Sequence, residues 1–257
     1  ATLTINNVRV GATTFNYQIA NTGTTGPALR GALQTNVNGA NLTDARLSGA
    51  GVTASNYTTG GPGSNTGDLG VTFTAAAAGA LAPLSGQVLN LRSNFENIAD
   101  QKLAIVLGAG AAAYHLAAGA ATPAATVANQ RVGGSQSAAL SVSNTAPAGS
   151  FTEDLNATVG AVGGPVSASG AVANLLAGAS AGGITVGVNT GTAGFKTGTV
   201  NLAFASTGAV AGVGNGLGST AVGGQAVTVS GNVYQAASGQ LQGHALNFGT
   251  LQVGQQV

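Results

Sequence analysis

The sequence contains no cysteine, no methionine and no tryptophan, and charged residues make up only 5% of its 257 positions. Without thiols, neither a disulfide framework nor a thiolate metal site can form. A formal net charge of +1 offers no basic field for nucleic acid, so we expect no nucleic-acid partner. Because the chain does not begin with methionine, we expect a processed product, a fragment or a truncated chain.

Long apolar runs are also missing. The Ala- and Gly-rich stretches are shorter than the roughly 20 apolar residues that a membrane helix needs, and Pro, His and Asn interrupt them. No cleavable signal peptide is recognisable at the N-terminus. We therefore expect no membrane span in this chain.

Hydrophobic residues make up 44% of the sequence, which is enough to build cores and argues against disorder. Gly, Ala, Thr, Ser and Asn are abundant, a composition typical of bacterial extracellular β-rich proteins. Such a chain depends on uncharged polar groups for its solubility.

Three stretches of the sequence resemble one another. Aligning them on the glycine that follows a valine places Gly11, Gly133 and Gly254 together, at spacings of 122 and 121 residues. Downstream, apolar residues alternate with small or polar ones in both copies, which predicts strands with one buried face. These alternating residues are Phe15, Tyr17 and Ile19 in the first copy and Ala138, Leu140 and Val142 in the second.

Later segments extend the match. Leu69, Val71 and Phe73 align with Val200, Leu202 and Phe204; segment 102–108 aligns with 225–231; and Tyr114 aligns with Tyr234. The division that fits is a first repeat over 1–120, a second over 121–241, and the beginning of a third over 242–257.

Short strands separated by Gly, Asn, Ser and Thr clusters, in units of this length, predict antiparallel β-sandwiches. Segment 94–121 is rich in helix formers, yet its counterpart in the second repeat is poor helix material. We therefore predict strands at 103–107 and around Tyr114, and leave open a short helical turn at 95–99. The Ala-rich segment 74–83 and the Gly-rich segment 208–220 are interpreted as loops.

The pattern Asn247-Phe248-Gly249 followed by Val253-Gly254, and the strand that ends at Asn21-Thr22-Gly23, resemble the repeats of the bacterial choice-of-anchor D family. That family is similar to immunoglobulin-like modules of the ASPM/SPD-2/Hydin class. The resemblance implies an all-β protein of tandem antiparallel immunoglobulin-like β-sandwiches, exported and located at the cell surface or outside the cell. It supplies no shared catalytic residues, and the sequence contains no anchor motif such as LPxTG.

Few residues offer chemistry. The repeat places Gln235 opposite His115, and His244 precedes the last strand-like segment, so neither histidine is expected to bind metal. The acidic residues are Asp44, Asp68, Glu96, Asp100, Glu153 and Asp154. Only Glu153–Asp154 and Glu96–Asp100 lie close in sequence, and we expect both pairs to solubilise loops rather than bind calcium.

Other motifs point the same way. No G-x-S-x-G elbow is present, and the Gly-rich segment 212–220 lacks the lysine of a phosphate-binding loop. Lys102 and Lys196 raise the alternative of an isopeptide cross-link beside a buried acid. We predict no catalytic, cofactor-binding or metal-binding residues, no cofactor and no enzymatic activity.

The organisation of the chain therefore carries the functional hypotheses. The first is a structural repeat protein of a bacterial extracellular fibre, stalk or surface layer that self-associates through repeat packing and edge-strand pairing. The alternative is a cell-surface adhesin or ligand-binding module that uses loops such as 56–65 and 208–220.

The last segment, 244–257, reads HALNFGTLQVGQQV and aligns with the first strand of each repeat. Two interpretations stay open. Either 242–257 begins a truncated third repeat, or it is a strand donated to another subunit of a polymer.

Overall fold

A computed structural model describes residues 1–37, 40–41, 44–84, 88–93, 95, 98–240, 242–243, 250 and 252–254. Within these residues the regular structure consists of β-strands and one turn of 3₁₀ helix, at Ala50–Val52. The prediction of an all-β protein is confirmed. Segment 242–257 lies mostly outside the described residues.

The strands of the first half are mostly short. They are β1 (Thr2–Ile5), β2 (Val8–Arg9), β3 (Gly11–Tyr17), β4 (Arg30–Gln34), β5 (Asn36–Val37), β6 (Ala40–Asn41), β7 (Leu47–Ser48), β8 (Ser55–Thr58), β9 (Leu69–Ala75), β10 (Gly79–Ala80), β11 (Val88–Ser93), β12 (Gln101–Leu107) and β13 (Ala112–Tyr114).

The second half has longer strands. They are β14 (Gly119–Ala121), β15 (Ala124–Thr126), β16 (Gln130–Arg131), β17 (Ser137–Asn144), β18 (Leu155–Gly163), β19 (Val166–Leu175), β20 (Ser180–Val188), β21 (Gly194–Ser206), β22 (Ala209–Val210), β23 (Val213–Gly214) and β24 (Thr220–Tyr234).

The first half forms a five-stranded sheet in the order β1-β12-β11-β4-β8 and two three-stranded sheets, β3-β9-β7 and β10-β13-β2. A two-stranded pair, β5-β6, lies apart from them. β1 runs parallel to β12, whereas the other neighbours in the five-stranded sheet are antiparallel.

In the second half, one hydrogen-bonded path runs β14-β17-β20-β19-β18-β21-β24-β15, and β16 also pairs with β24. β19 links two sheets, because residues 166–170 pair with β20 and residues 171, 172 and 175 pair with β18. Gly170 lies at this corner with φ of 96°, a conformation that a residue with a side chain rarely adopts.

Buried apolar residues form two separate clusters. One extends from Ile5 to Ala113 and includes the fully buried Phe73, and the other extends from Ala117 to Val233 and includes the fully buried Leu140. Alternation along the strands produces both clusters, because every second side chain of a strand points to the same face.

Several strand pairings within the first half recur at equivalent positions within the second half. β1 runs parallel to β12 and β15 runs parallel to β24. Farther along, Arg9 pairs with Tyr114 and Arg131 pairs with Tyr234, again in parallel. These pairings place both copies of the Val-Gly motif next to equivalent tyrosines.

One sequence correspondence is wrong. The alignment of residues 69–73 with 200–204 would make β9 the counterpart of β21. However, β9 pairs with β3, and the strand aligned with β3, β17, pairs with β20. β9 therefore corresponds to β20, and β11 corresponds to β21. Alternating apolar residues are common to all these strands, so the pattern alone cannot distinguish one from another.

The segment rich in helix formers contains strands, as predicted. β12 covers 101–107 and β13 ends at Tyr114. Near 95–99, the N–H of Ile98 donates to the carbonyl oxygen of Phe95 at 3.2 Å, as in a turn, while residues 96 and 97 lie outside the described part. Segment 208–220, interpreted as a loop, contains the short hairpin β22-β23.

Candidate functional site

The two halves meet at a buried carboxylate. Glu153 has no exposed surface and Asp154 is 1% exposed, although both precede β18 in a connecting segment. The expectation that this pair solubilises a loop is wrong. Buried carboxylates need paired charges or hydrogen bonds, and both residues have them.

Glu153 receives hydrogen bonds from both halves. Arg9 of β2 donates from Nε to Oε1 and from Nη2 to Oε2, each at 3.1 Å. From the second half, Ser206 Oγ donates to Oε2 at 2.6 Å, Asn215 Nδ2 donates to Oε1 at 2.9 Å, and the N–H of Gly208 lies 3.3 Å from Oε2. These hydrogen bonds satisfy both carboxylate oxygens.

These contacts also determine the protonation of the carboxyl group. Burial by itself would raise the pKa of Glu153, but hydrogen bonds from Arg9, Ser206 and Asn215 and the charge of Arg9 outweigh it. The pKa of Glu153 therefore lies below its ordinary value, and the group is a carboxylate at neutral pH.

Asp154 organises the neighbouring hairpin. The N–H of Ala211 donates to Oδ1 at 3.1 Å and the N–H of Gly212 donates to Oδ2 at 2.8 Å. Both residues have positive φ, at 49° and 77°, which turns their N–H groups toward the carboxylate. The carboxylate thus fills a backbone anion site that fixes the hairpin β22-β23.

Segment 208–220 also contacts the first half directly. Asn7 Nδ2 donates to the carbonyl oxygen of Asn215 at 2.8 Å, and Arg9 Nη2 donates to that of Gly218 at 2.6 Å. The second half therefore uses part of this segment to contact the first half, although the sequence had suggested it as a ligand-recognition loop.

Asn144 fixes the connection between the halves, residues 115–118. It is 1% exposed, and its Oδ1 accepts the N–H of Ala118 at 3.1 Å. Its Nδ2 donates to the carbonyl oxygens of Glu153 at 3.2 Å and Leu175 at 3.1 Å. Additionally, the N–H of Ala117 donates to Ser206 Oγ at 2.9 Å.

His115 belongs to the same connection. It forms a parallel bridge with Thr152, and its N–H donates to the carbonyl oxygen of Phe151 at 2.8 Å. The rings of Phe151 and Tyr114 lie 5.6 Å apart, a favourable aromatic contact between the halves. We call this set of contacts, centred on Arg9, Tyr114, Asn144 and Glu153, the junction.

The remaining candidate residues lie apart from the junction. Asp44 forms a two-pronged ion pair with Arg46, at 2.9 and 2.7 Å, and this hydrogen bonding lowers the pKa of Asp44. Asp68 accepts hydrogen bonds from Asn16 and Gln18, and Asp100 lies 3.6 Å from Arg92. In the described part of the chain, no three His, Asp or Glu side chains converge as a metal site would require.

The lysines do not meet the buried acid. Lys196 Nζ donates to Thr192 Oγ1 at 2.7 Å, and Lys102 pairs with Asn90 in the sheet. Glu153 is instead paired with Arg9, so the described contacts do not supply the lysine and acid of an isopeptide site. His244 and Glu96 lie outside the described residues.

A second feature is an apolar groove of about 1230 Å³ in the first half. It lies at the end that corresponds to the junction end of the second half, because Asn21 and Pro27 line it. Asn21 Nδ2 donates to the carbonyl oxygen of Pro27 as Asn144 Nδ2 donates to that of Glu153. Its lining is mainly apolar and aromatic and includes Tyr17, Ile19, Leu29, Tyr57, Phe95 and Leu103.

Sequence reasoning missed Arg9. The signal available was the recurrence of Asn-x-Arg-Val-Gly, at 7–11 and again at 129–133, in a chain that has only seven Lys and Arg residues. An arginine that recurs at one repeat position in so uncharged a sequence indicates a specific contact.

No family model and no curated protein matches this chain. Among solved structures, it is similar to CfaE, the adhesive subunit of the CFA/I fimbria of enterotoxigenic Escherichia coli, at 8% sequence identity and a TM-score of 0.28. The alignment covers 90% of this chain and 97% of that one. Within the described residues, no helix has the length and hydrophobicity to cross a membrane.

Proposed function

We propose that this chain is a non-enzymatic structural protein built from tandem immunoglobulin-like β-sandwich repeats, with boundaries at 1–120 and 121–241. It would form part of a bacterial extracellular fibre, stalk or surface layer, as its resemblance to choice-of-anchor D repeats implies. The observation that carries the proposal is the buried junction between the halves, centred on Arg9 and Glu153.

A buried, hydrogen-bonded ion pair suits a structural role because it fixes orientation. Each oxygen of Glu153 is bonded by groups from both halves, so rotating one half against the other would leave the charge buried without its partners. Short connections and rigid junctions let repeated modules bear load as a rod. Flexible binding modules have less need of them.

The shared pairings support a tandem organisation. β1 with β12 and β15 with β24 use parallel edge pairing, and the strands that follow carry arginine opposite tyrosine in both halves. A chain of such modules would self-associate by end-to-end packing or by exchange of the segment 242–257.

Negative-stain electron microscopy and sedimentation velocity test this proposal. We expect the purified chain to form regular filaments or sheets in a concentration-dependent manner. Dispersed monomers at all concentrations would contradict it.

Removal of 242–257 separates the two interpretations of that segment. If the strand is donated, the shortened chain stays monomeric, and a chain with a scrambled 242–257 behaves in the same way. If assembly continues unchanged, strand exchange is wrong and packing between module ends carries the polymer.

The alternative of an adhesin or ligand-binding module has one specific observation in its favour, the apolar groove of the first half. Its aromatic side chains, Tyr17, Tyr57 and Phe95, suit an apolar or stacked ligand. A glycan and lipid array would test it: binding to one ligand that Leu29→Trp abolishes, without self-association, would favour this function over the structural one.

A further inference from the structure

The end of the second half at which Arg131 and Tyr234 lie repeats the geometry of the first half at the junction. Arg131 pairs with Tyr234 in the same parallel register in which Arg9 pairs with Tyr114. The next residue confirms the match, since the N–H of Val10 donates to the Tyr114 carbonyl at 2.9 Å and that of Val132 donates to the Tyr234 carbonyl at 3.0 Å.

The asparagine two residues before each arginine is also equivalent. Asn7 Oδ1 accepts the N–H of Ala112, and Asn129 Oδ1 accepts a hydrogen bond from the side chain of Asn232. These two partners, Ala112 and Asn232, each lie two residues before the tyrosine, so their positions are equivalent. Both halves therefore present asparagine, arginine and tyrosine together at the same end.

The two ends differ in what covers them. In the first half, Arg9 is bonded to Glu153 and Tyr114 packs on Phe151, so the second half covers this end. In the second half, Arg131 is exposed and Tyr234 is 54% exposed. Within the described residues, the guanidinium of Arg131 has no hydrogen-bond or ion-pair partner.

The connecting segments differ in the same way. Residues 115–118 are held by the second half through the N–H groups of His115, Ala117 and Ala118. Their counterparts, residues 235–238, are exposed and have no regular structure. They begin directly after Tyr234, as 115–118 begin directly after Tyr114.

We propose that Arg131, Tyr234 and the segment 235–238 form a docking surface for a further β-sandwich repeat joined in tandem. That repeat would present a carboxylate at the position of Glu153 and an asparagine at that of Asn144. The inference rests on the proposed tandem organisation and specifies the partner. It follows from charge complementarity and from the equivalence of this surface with the one that the second half already covers.

The first half of a second copy does not fit this surface. Since Asn21 Nδ2 donates to the carbonyl oxygen of Pro27 as Asn144 Nδ2 donates to that of Glu153, Pro27 stands where the second half has Glu153. An incoming first half would offer proline to Arg131 and no carboxylate. The occupant is therefore a repeat of the second-half type.

The test uses residues 1–238 followed directly by a second copy of 119–243, which preserves the length of the connection. Amide hydrogen exchange is measured by NMR at residues 235–238. By equivalence with His115, Ala117 and Ala118, we expect the amides of Gln235, Ala237 and Ser238 to exchange at least tenfold more slowly than in the original chain. Ala236 corresponds to Leu116, for which the structure shows no such bond, and serves as an internal control.

Two substitutions identify the ion pair. Arg131→Met, and Glu153→Gln made only in the appended copy, should each remove most of the added protection, and the double variant should lose no more than either single one. Arg9→Met in the same protein should leave residues 235–238 unchanged. Unprotected amides, or protection that survives Arg131→Met, would overturn the proposal.

The original chain supplies one more decisive outcome. If residues 235–238 are already protected there, and deletion of 242–257 removes the protection, the surface is covered by the chain's own tail and the proposal is wrong. Filament formation by the unmodified protein is scored separately. Protection in the extended chain without filaments would support the docking surface while contradicting the proposed fibre.

Discussion

The guanidinium of Arg9 forms two hydrogen bonds of 3.1 Å with the carboxylate of Glu153, a fully buried residue 144 positions later in the chain. The cation comes from an edge strand of the first half and the anion from a connecting segment of the second. Because a two-pronged arginine–carboxylate contact is directional, it fixes the orientation of the halves as well as their proximity.

Replacing Arg9 by methionine should destabilise the protein by about 3 kcal/mol, the typical cost of leaving one charge of a buried pair without its partner. Methionine keeps much of the apolar stem, so the loss reports on the charge and its hydrogen bonds. Urea unfolding followed by circular dichroism measures the change. The transition should also broaden or split, since the halves would unfold less cooperatively.

Arg131→Met is the matched control for Arg9→Met. Arg131 has the equivalent strand position and pairs with Tyr234 as Arg9 pairs with Tyr114, but its side chain is exposed. We expect a change within about 0.5 kcal/mol, as for an ordinary surface substitution. A cost equal to that of Arg9→Met would show that the position matters for reasons other than the pairing with Glu153.

The junction should weaken in acid. The pKa of Glu153 in the folded protein lies below its ordinary value of 4.5. Its carboxylate therefore contributes stability that is present above about pH 4.5 and is lost as the pH falls through the folded-state pKa. Unfolding free energy should fall in this range by up to about 1.4 kcal/mol per pH unit for this one group.

Glu153→Gln isolates this contribution from those of the other acids, including Asp44, whose pKa is also lowered. The variant should be less stable than the wild type at pH 7, and the difference between the two should shrink below pH 4.5. A difference that stays constant from pH 7 to pH 3 would mean that the ionisation of Glu153 does not stabilise the junction.

Sequence reasoning predicted what depends on local pattern. Alternating apolar residues indicated a strand through Phe15, Tyr17 and Ile19 and another at 103–107, and the resemblance of the two halves argued against a helix at 94–121. The structure has Phe15 and Tyr17 in β3, which ends before Ile19, and has strands at 101–107 and 112–114. These predictions succeed where they do because burial of alternate side chains is a local property of a strand.

Long-range relationships were not predictable in the same way. The alignment of 69–73 with 200–204 failed because strands of similar pattern pair with different neighbours. The junction was missed because nothing in the local sequence distinguishes Glu153 from an exposed loop acid. Its partner, Arg9, lies in the other half and is brought beside it only by the fold. Only the recurring arginine at positions 9 and 131 pointed to it.

Asn144→Ala should be severely destabilising. The buried amide bonds the connection through Ala118 and also bonds the carbonyls of Glu153 and Leu175. Its removal leaves buried backbone groups without partners, at about 1–3 kcal/mol for each group that water cannot reach. We expect a loss of roughly 3 kcal/mol in urea unfolding.

Asn21 provides the comparison, because it occupies the same place in the first half. Its Nδ2 donates to the carbonyls of Pro27 and Gly60 at 3.2 and 3.3 Å, in contacts that are exposed to solvent. Water can replace these bonds, so Asn21→Ala should cost about 1 kcal/mol or less. Equal losses for the two variants would contradict the role assigned to Asn144.

Gly119→Ala tests the packing where the connection enters the second half. A Cβ atom at Gly119 would overlap the ring of Phe204, which is 3% exposed and belongs to the second core. Gly119 is held in place through its pairing with Asn144, so neither group can retreat easily. Overpacking of this kind costs about 1–3 kcal/mol, and we expect the melting temperature to fall by roughly 2–4 °C for each kcal/mol.

Gly149→Ala is the control, since its Cβ would meet no atom within 4 Å, and it should change the melting temperature by no more than about 2 °C. Phe204→Ala removes Cγ, Cδ1 and Cδ2, the atoms that the added Cβ would overlap. If Gly119→Ala costs as much in a Phe204→Ala background as in the original chain, the loss has a cause other than this overlap.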